Sequence, residues 1–79
     1  MSTSSVTAQQ HLADIAEECA GYYDRDDKPG AIACFASRVK DHPETAHIAE
    51  DSFLIMITFE GGWAMGRQGI INTVTGFAV

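Results

Sequence analysis

Hydrophobic positions in the first quarter of the chain repeat with the period of an α-helix. Leu12, Ile15 and Cys19 fall on one side of this predicted helix, and acidic residues occupy the other side. Thr7 and Gln10 have the spacing of a capping box, in which two side chains satisfy free backbone amides at a helix start. The pattern therefore predicts a first amphipathic helix that begins at Thr7.

The acidic segment DRDDKPG separates this helix from a second one. Asp26 or Asp27 can cap the second helix, and Pro29 is tolerated in its first turn. Pro43 ends the helix, because the residue before a proline is pushed out of helical angles. The same proline opens a short third helical segment, PETAHIAED, anchored by Ile48. The stripe expected to be buried on the second helix is Ile32, Phe35, Ala36 and Val39.

The pattern changes to strict alternation at residues 52–60, SFLIMITFE, which are rich in branched and aromatic side chains. Gly61-Gly62 then predicts a two-residue hairpin turn, because glycine enters positive φ without a steric penalty. Residues 63–65 would pair back as a second strand. The tail, residues 67–79, fits either a helix or a strand. The expected fold class is α+β: two amphipathic helices, a short third helical segment, a β-hairpin and a C-terminal helix or strand.

Seventy-nine residues form one small domain, and we expect the polar residues 1–5 to be disordered. A chain of this size buries little surface, so each large core side chain contributes a large share of the stability. The side chains expected to form the main core are Leu12, Ile15, Phe35, Val39, Phe53, Ile55, Ile57 and Trp63.

Charge narrows the classes of partner. Eleven acidic residues against five basic ones give a net charge of −6. Such a chain lacks the lysines and arginines that neutralise nucleic-acid phosphates or bind anionic membranes. It is attracted instead to a basic protein surface. No signal peptide is visible and the longest apolar run is too short to cross a bilayer, so the expected location is the cytoplasm.

The two cysteines and the acidic loop do not form a recognisable metal site. Cys19 and Cys34 are separated by fourteen residues, whereas zinc fingers place their first two cysteines two to four residues apart. The loop begins like a calcium-binding EF-hand, but Lys28 and Pro29 stand where a ligand and a glycine are needed. We expect two free thiols, no metal and no cofactor.

Catalytic motifs are also missing. No serine or cysteine lies in a nucleophile-elbow pattern, and neither a P-loop nor a G-x-G-x-x-G dinucleotide motif occurs. The three histidines, His11, His42 and His47, have no partner that the sequence identifies. The chain is therefore expected not to be an enzyme, and no catalytic residue is assigned.

Clustered acids are the remaining candidate for function. Six of them lie within residues 14–27 and only Arg25 offsets them. Such clustering is typical either of a solvated helix face or of a surface that meets a basic partner. The acids in question are Asp14, Glu17, Glu18, Asp24, Asp26 and Asp27.

A small acidic chain without catalytic motifs, with carboxylates around EECAGYYDRDD, resembles the anti-CRISPR proteins of phages and mobile elements. The likeness is one of general character. It implies a DNA-mimicking inhibitor in the host cytoplasm that binds a Cascade-type CRISPR surveillance complex through its acidic surface and blocks target DNA recognition. It also implies no direct contact with nucleic acid. The residues it would assign as phosphate stand-ins are Glu17, Glu18, Asp24, Asp26 and Asp27, with Tyr22 and Tyr23 as aromatic anchors.

The alternative is a small cytosolic protein–protein interaction module, such as an antitoxin, an adaptor or a homo-oligomeric subunit. Its docking element would be the apolar residues 52–59, and self-association is its simplest form. The expected state is a monomer or a weak homodimer. Docking through acids weakens with salt, whereas apolar docking does not.

Overall fold

The computed structural model describes residues 4–77, and every regular element in that range is helical. Two short 3₁₀ turns flank α3, and they connect the first pair of long helices to the last pair. The elements in chain order are α1 (Ser4–Asp24), α2 (Lys28–Arg38), a 3₁₀ turn (Val39–Asp41), α3 (Pro43–Ala46), a 3₁₀ turn (His47–Glu50), α4 (Ser52–Ala64) and α5 (Arg67–Gly76).

The four long helices form a bundle in which α1 and α4 are diagonal. α1 packs on α2 and α5, and α4 packs on the same two helices. The outward faces of α1 and α4 therefore point in opposite directions. Their inward faces, with those of α2 and α5, enclose the core: Leu12, Ile15, Ala16, Cys19, Ala31, Phe35, Val39, Ile48, Ile55, Phe59, Ile70 and Val74.

The predicted α+β class and its β-hairpin are wrong, because residues 52–64 form the helix α4. Asp51 starts the helix: its carboxylate accepts a hydrogen bond from the Leu54 amide at 3.0 Å. Helical spacing brings Ile55 and Phe59 together on the buried side, one turn apart. A strand would have needed a paired ribbon, whereas the helix satisfies its backbone internally.

Gly61-Gly62 lies inside α4 and does not turn the chain. Gly62 is buried where α4 meets α5, and a methyl group added there would lie 3.1 Å from the Gly69 carbonyl oxygen. The glycine thus permits a close approach of the two helices. The chain reverses at Gly66 instead, whose φ of 92° favours glycine and which caps α5.

The predicted helical half of the chain is largely confirmed. α1 begins at Ser4, three residues before the expected start; residues 1–3 lie outside the described range, and Ser4 and Ser5, expected to be disordered, are helical. Asp27 is the cap of α2, accepting a hydrogen bond from the Gly30 amide at 3.0 Å. Pro43 opens α3 and Ile48 is buried, as expected, but α2 does not run to Pro43: it ends at Arg38 and a 3₁₀ turn follows.

The core prediction was right for five side chains and wrong for two. Leu12, Ile15, Phe35, Val39 and Ile55 are buried, and Trp63 is half-buried. Phe53 and Ile57 are exposed, because a helical period turns them away from Ile55, whereas alternation had placed all three on one face. Three large core side chains were missed: Phe59, Ile70 and Val74.

Alanine at the two adjacent glycines of α4 should have opposite effects on stability. Gly61→Ala should raise the free energy of unfolding by about 0.5–1 kcal/mol, because alanine favours a helix over glycine and nothing lies within 4 Å of the new methyl group. Gly62→Ala should lower it by about 1–3 kcal/mol, because its methyl group would be forced against α5. Urea unfolding measures both. A hairpin turn would instead lose stability on Gly61→Ala, since it needs positive φ there.

Candidate functional site

The outward side of α4 exposes four large apolar side chains within its first two turns. The exposed fractions are 65% for Phe53, 43% for Leu54, 43% for Met56 and 46% for Ile57. A helix on the surface of a globular protein normally turns polar residues outward. Adjacent exposed hydrophobes are, by contrast, a mark of an interaction site. We call these four side chains the apolar face of α4.

A groove runs beside this face, between α2 and α4. Its volume is about 630 Å³. Lys28 and Glu60 form an ion pair of 2.7 Å between Nζ and Oε1 within the groove lining. The remaining lining is mostly apolar: Pro29, Ile32, Ala33 and Ala36 from α2, with Ser52, Phe53 and Met56 from α4.

Three of the predicted acids lie on the outward side of α1. Asp14, Glu17 and Glu18 are exposed. Glu18 forms an ion pair with Arg38, whose Nε also donates to Asp41 Oδ2 at 3.1 Å. Coulombic attraction to Glu18 raises the pKa of Arg38. Glu18 is therefore already engaged by the chain's own cation.

The acids of the loop after α1 have structural partners as well. Asp24 Oδ2 lies 3.5 Å from Arg67 Nε, and Asp27 caps α2. Asp26 is exposed, with φ of 56°, a left-handed conformation that aspartate tolerates better than most residues. Within residues 4–77, ion pairs involve neither Asp26 nor the two first acids of α1, Asp14 and Glu17.

Tyr22 and Tyr23, the two residues implied as anchors, are half-buried and pack against the core. The Tyr23 ring meets Trp63 of α4 edge to face, with 5.0 Å between centroids. The Arg25 guanidinium lies over the Tyr22 ring, 4.4 Å from its centroid. Both rings thus help to hold the end of α1 in place, and truncating either should affect folding as well as any binding.

The two cysteines are neighbours in the fold, although both are free thiols. Cys19 is buried and its thiol faces the Ala31 carbonyl oxygen at 3.7 Å. Burial raises the pKa of Cys19 from 9.0 to about 12, with Cys34 and Glu18 adding to the effect. Burial also raises the pKa of Cys34, and the negative charge of Glu18 raises it further. Neutral thiols are poor nucleophiles, so neither cysteine has the environment of a reactive one.

Two of the histidines also meet. The rings of His11 and His42 have centroids 4.1 Å apart, and His11 Nε2 lies 2.9 Å from the Arg38 carbonyl oxygen. This hydrogen bond ties α1 to the end of α2. No group of three metal-ligating side chains occurs in the described part of the chain.

Sequence reasoning missed the apolar face of α4 as a helical surface. Two signals could have found it: Asp51 as a helix cap, and Ile55, Phe59 and Gly62 at spacings of four and three. A helix drawn from that cap places Phe53 and Ile57 on the side opposite the core. The segment itself, residues 52–59, had been proposed as a docking element, but as a strand.

Comparison of the chain with protein-family models, with curated proteins and with solved structures returned no match. Over residues 4–77, none of the helices combines the length and the apolar composition that crossing a membrane requires.

Stability should fall at alkaline pH because of Cys19. The unfolded chain releases this thiol proton near pH 9.0, whereas the folded chain holds it until about pH 12. The stabilisation is thus complete below pH 9.0 and is lost as the pH rises toward 12, with a slope of up to about 1.4 kcal/mol per pH unit.

Urea unfolding of Cys19→Ala with a reductant present, followed from neutral to alkaline pH, tests this. Cys19→Ala should show a flatter pH dependence than the natural chain, and Cys34→Ala should keep most of the slope. Equal slopes for Cys19→Ala and the natural chain would contradict the assignment.

Proposed function

We propose that this chain is a non-enzymatic protein-interaction module that docks through the apolar face of α4. The observation that carries the proposal is the exposure of Phe53, Leu54, Met56 and Ile57 side by side on one helix. Exposed helix positions are normally occupied by polar side chains, which would avoid leaving this much apolar surface in water. A partner that covers them accounts for their apolar character.

Covering the apolar face of α4 can supply enough free energy for binding. Together the four side chains leave on the order of 400 Å² of apolar surface exposed, within the range of the largest and often functional patch on a monomer. Covering that area would supply about 10 kcal/mol before costs. Association itself costs about 4–15 kcal/mol, so this face supports a weak or moderate complex unless neighbouring surface contributes.

The environment of the ionisable groups supports a binding role over a catalytic one. The pKa of Cys19 is raised to about 12 by burial, so its thiol stays protonated at neutral pH. His11 makes a hydrogen bond to the backbone, and its ring meets that of His42 edge to face. A general base needs a reachable substrate and a nucleophile needs an activating base. These groups support helix packing instead.

A partner-capture experiment tests the docking face. The tagged chain is compared with a Leu54→Glu, Ile57→Glu double variant and with Met65→Glu as the matched control. Met65 is 78% exposed but lies about three helical turns beyond Leu54, outside the apolar face. The natural chain and the control should retain a bound protein at low and high salt, and the double variant should lose it.

Equal capture by the double variant would contradict docking through α4. Circular dichroism of all three proteins serves as the folding control, since the substituted side chains are exposed and their replacement should leave the helical signal unchanged.

A second candidate function, inhibition of a CRISPR surveillance complex, would use the opposite side of the bundle. Asp14, Glu17 and Asp26 are exposed, and no ion pair among the described residues engages them. These carboxylates are available for lysines and arginines that otherwise contact DNA phosphates. The favouring observation is their common position away from the core.

Its test uses a variant that spares the structural acids. Asp14→Lys, Glu17→Lys, Asp26→Asn removes the free carboxylates and keeps the Asp27 cap and the pair of Asp24 with Arg67. Asparagine suits the left-handed conformation at position 26. Binding of the natural chain to a purified Cascade-type complex should weaken with salt and disappear in this variant. Binding that is unchanged by salt and by these substitutions would contradict an acidic interface.

A further inference from the structure

We propose that the partner of the apolar face of α4 is a second copy of this chain, related by a two-fold axis. The inference rests on the proposed docking function and specifies its partner. A two-fold interface must be self-complementary, because the same patch is present on both copies. The patch must therefore contain both projecting side chains and a recess that receives them.

The face and the groove together meet this requirement. Leu54 and Ile57 are exposed on α4 and do not line the groove, whereas Phe53 and Met56 form part of one of its walls. Exposed apolar side chains and a recess thus lie next to each other on one surface. When two α4 helices cross face to face about a two-fold axis, Leu54 and Ile57 of each copy can enter the groove of the other.

The distribution of charge favours a like partner over a basic one. The groove lining contains two charged side chains, Lys28 and Glu60, and these neutralise each other in an ion pair. A basic protein would gain no attraction from this surface. An anionic membrane would meet no free cation there either.

The same distribution reduces charge repulsion between copies of net charge −6 without removing it, since Glu50 and Asp51 are exposed just before the apolar face. The exposed acids of α1, including Asp14 and Glu17, lie on the outward face of the helix diagonal to α4. Pairing through α4 places these acids on the two outer surfaces of the dimer. Repulsion across that separation is largely screened at physiological ionic strength.

The available area sets the strength of the dimer. A standard stable interface buries about 800 Å² from each partner. The apolar face supplies on the order of half of this, and the walls of the groove add the rest only where side chains enter it. A dimer of this kind is weak and concentration-dependent, with a dissociation constant on the order of micromolar or above.

Sedimentation equilibrium over a wide concentration range tests the inference with the purified 79-residue chain. The average mass should rise from 8.5 kDa toward twice that value as concentration increases. The Leu54→Glu, Ile57→Glu double variant should have a dissociation constant at least tenfold higher, or remain monomeric, because two carboxylates would be buried against an apolar groove. Met65→Glu should behave as the natural chain does, and added salt should not weaken the dimer.

Three results would overturn the inference: a monomer at every concentration, a dimer unaffected by the double variant, or a monomer that binds phosphatidylcholine vesicles through Leu54 and Ile57. A monomer that captures a different protein through these two residues would also overturn it, but would leave the docking function standing. If the chain neither captures a partner nor self-associates, both the inferred dimer and the proposed docking function are wrong.

Discussion

The fold depends on a constraint imposed by one segment, SFLIMITFEGGWA, which is apolar around nearly its whole circumference. As the helix α4, it can turn only one side to α2 and α5. A chain of seventy-nine residues has no further element among residues 4–77 to cover the other side. Ile55 and Phe59 are buried for this reason, and Phe53 and Ile57 are left outside.

Small residues let α4 approach α5 closely, while Ile55 and Phe59 of α4 pack into the core. Gly62 and Gly69 bring the backbones of α4 and α5 close together, and Gly66 supplies the reversal between the two helices. This arrangement makes α4 and α1 diagonal. As a consequence, the apolar and the acidic surfaces of the molecule face away from each other, and each can act without the other.

Local signals predicted the first half of the fold, and a conflict between two periodicities hid the second half. The Asp27 cap and the Pro43 boundary depend on neighbouring residues alone, so the sequence contains all the information that they need. Residues 52–60 satisfy a period of two as well as helical spacing, and their β-branched residues favoured the strand. The Asp51 cap and the close packing of Gly62 against α5 both favour the helix.

Sequence reasoning was limited in the same way at the candidate sites. The acids were visible in the sequence, but the cations that engage Glu18 and Asp24 come from Arg38 and Arg67, in distant segments.

NMR of methyl groups with a soluble paramagnetic agent directly tests the claim that α4 buries one side and pairs through the other. We expect Ile57 to be broadened in dilute solution and protected at high concentration, and Ile55 to be protected in both. Protection of Ile57 at every dilution, or equal broadening of both isoleucines, would contradict an α4 that buries one side and pairs through the other.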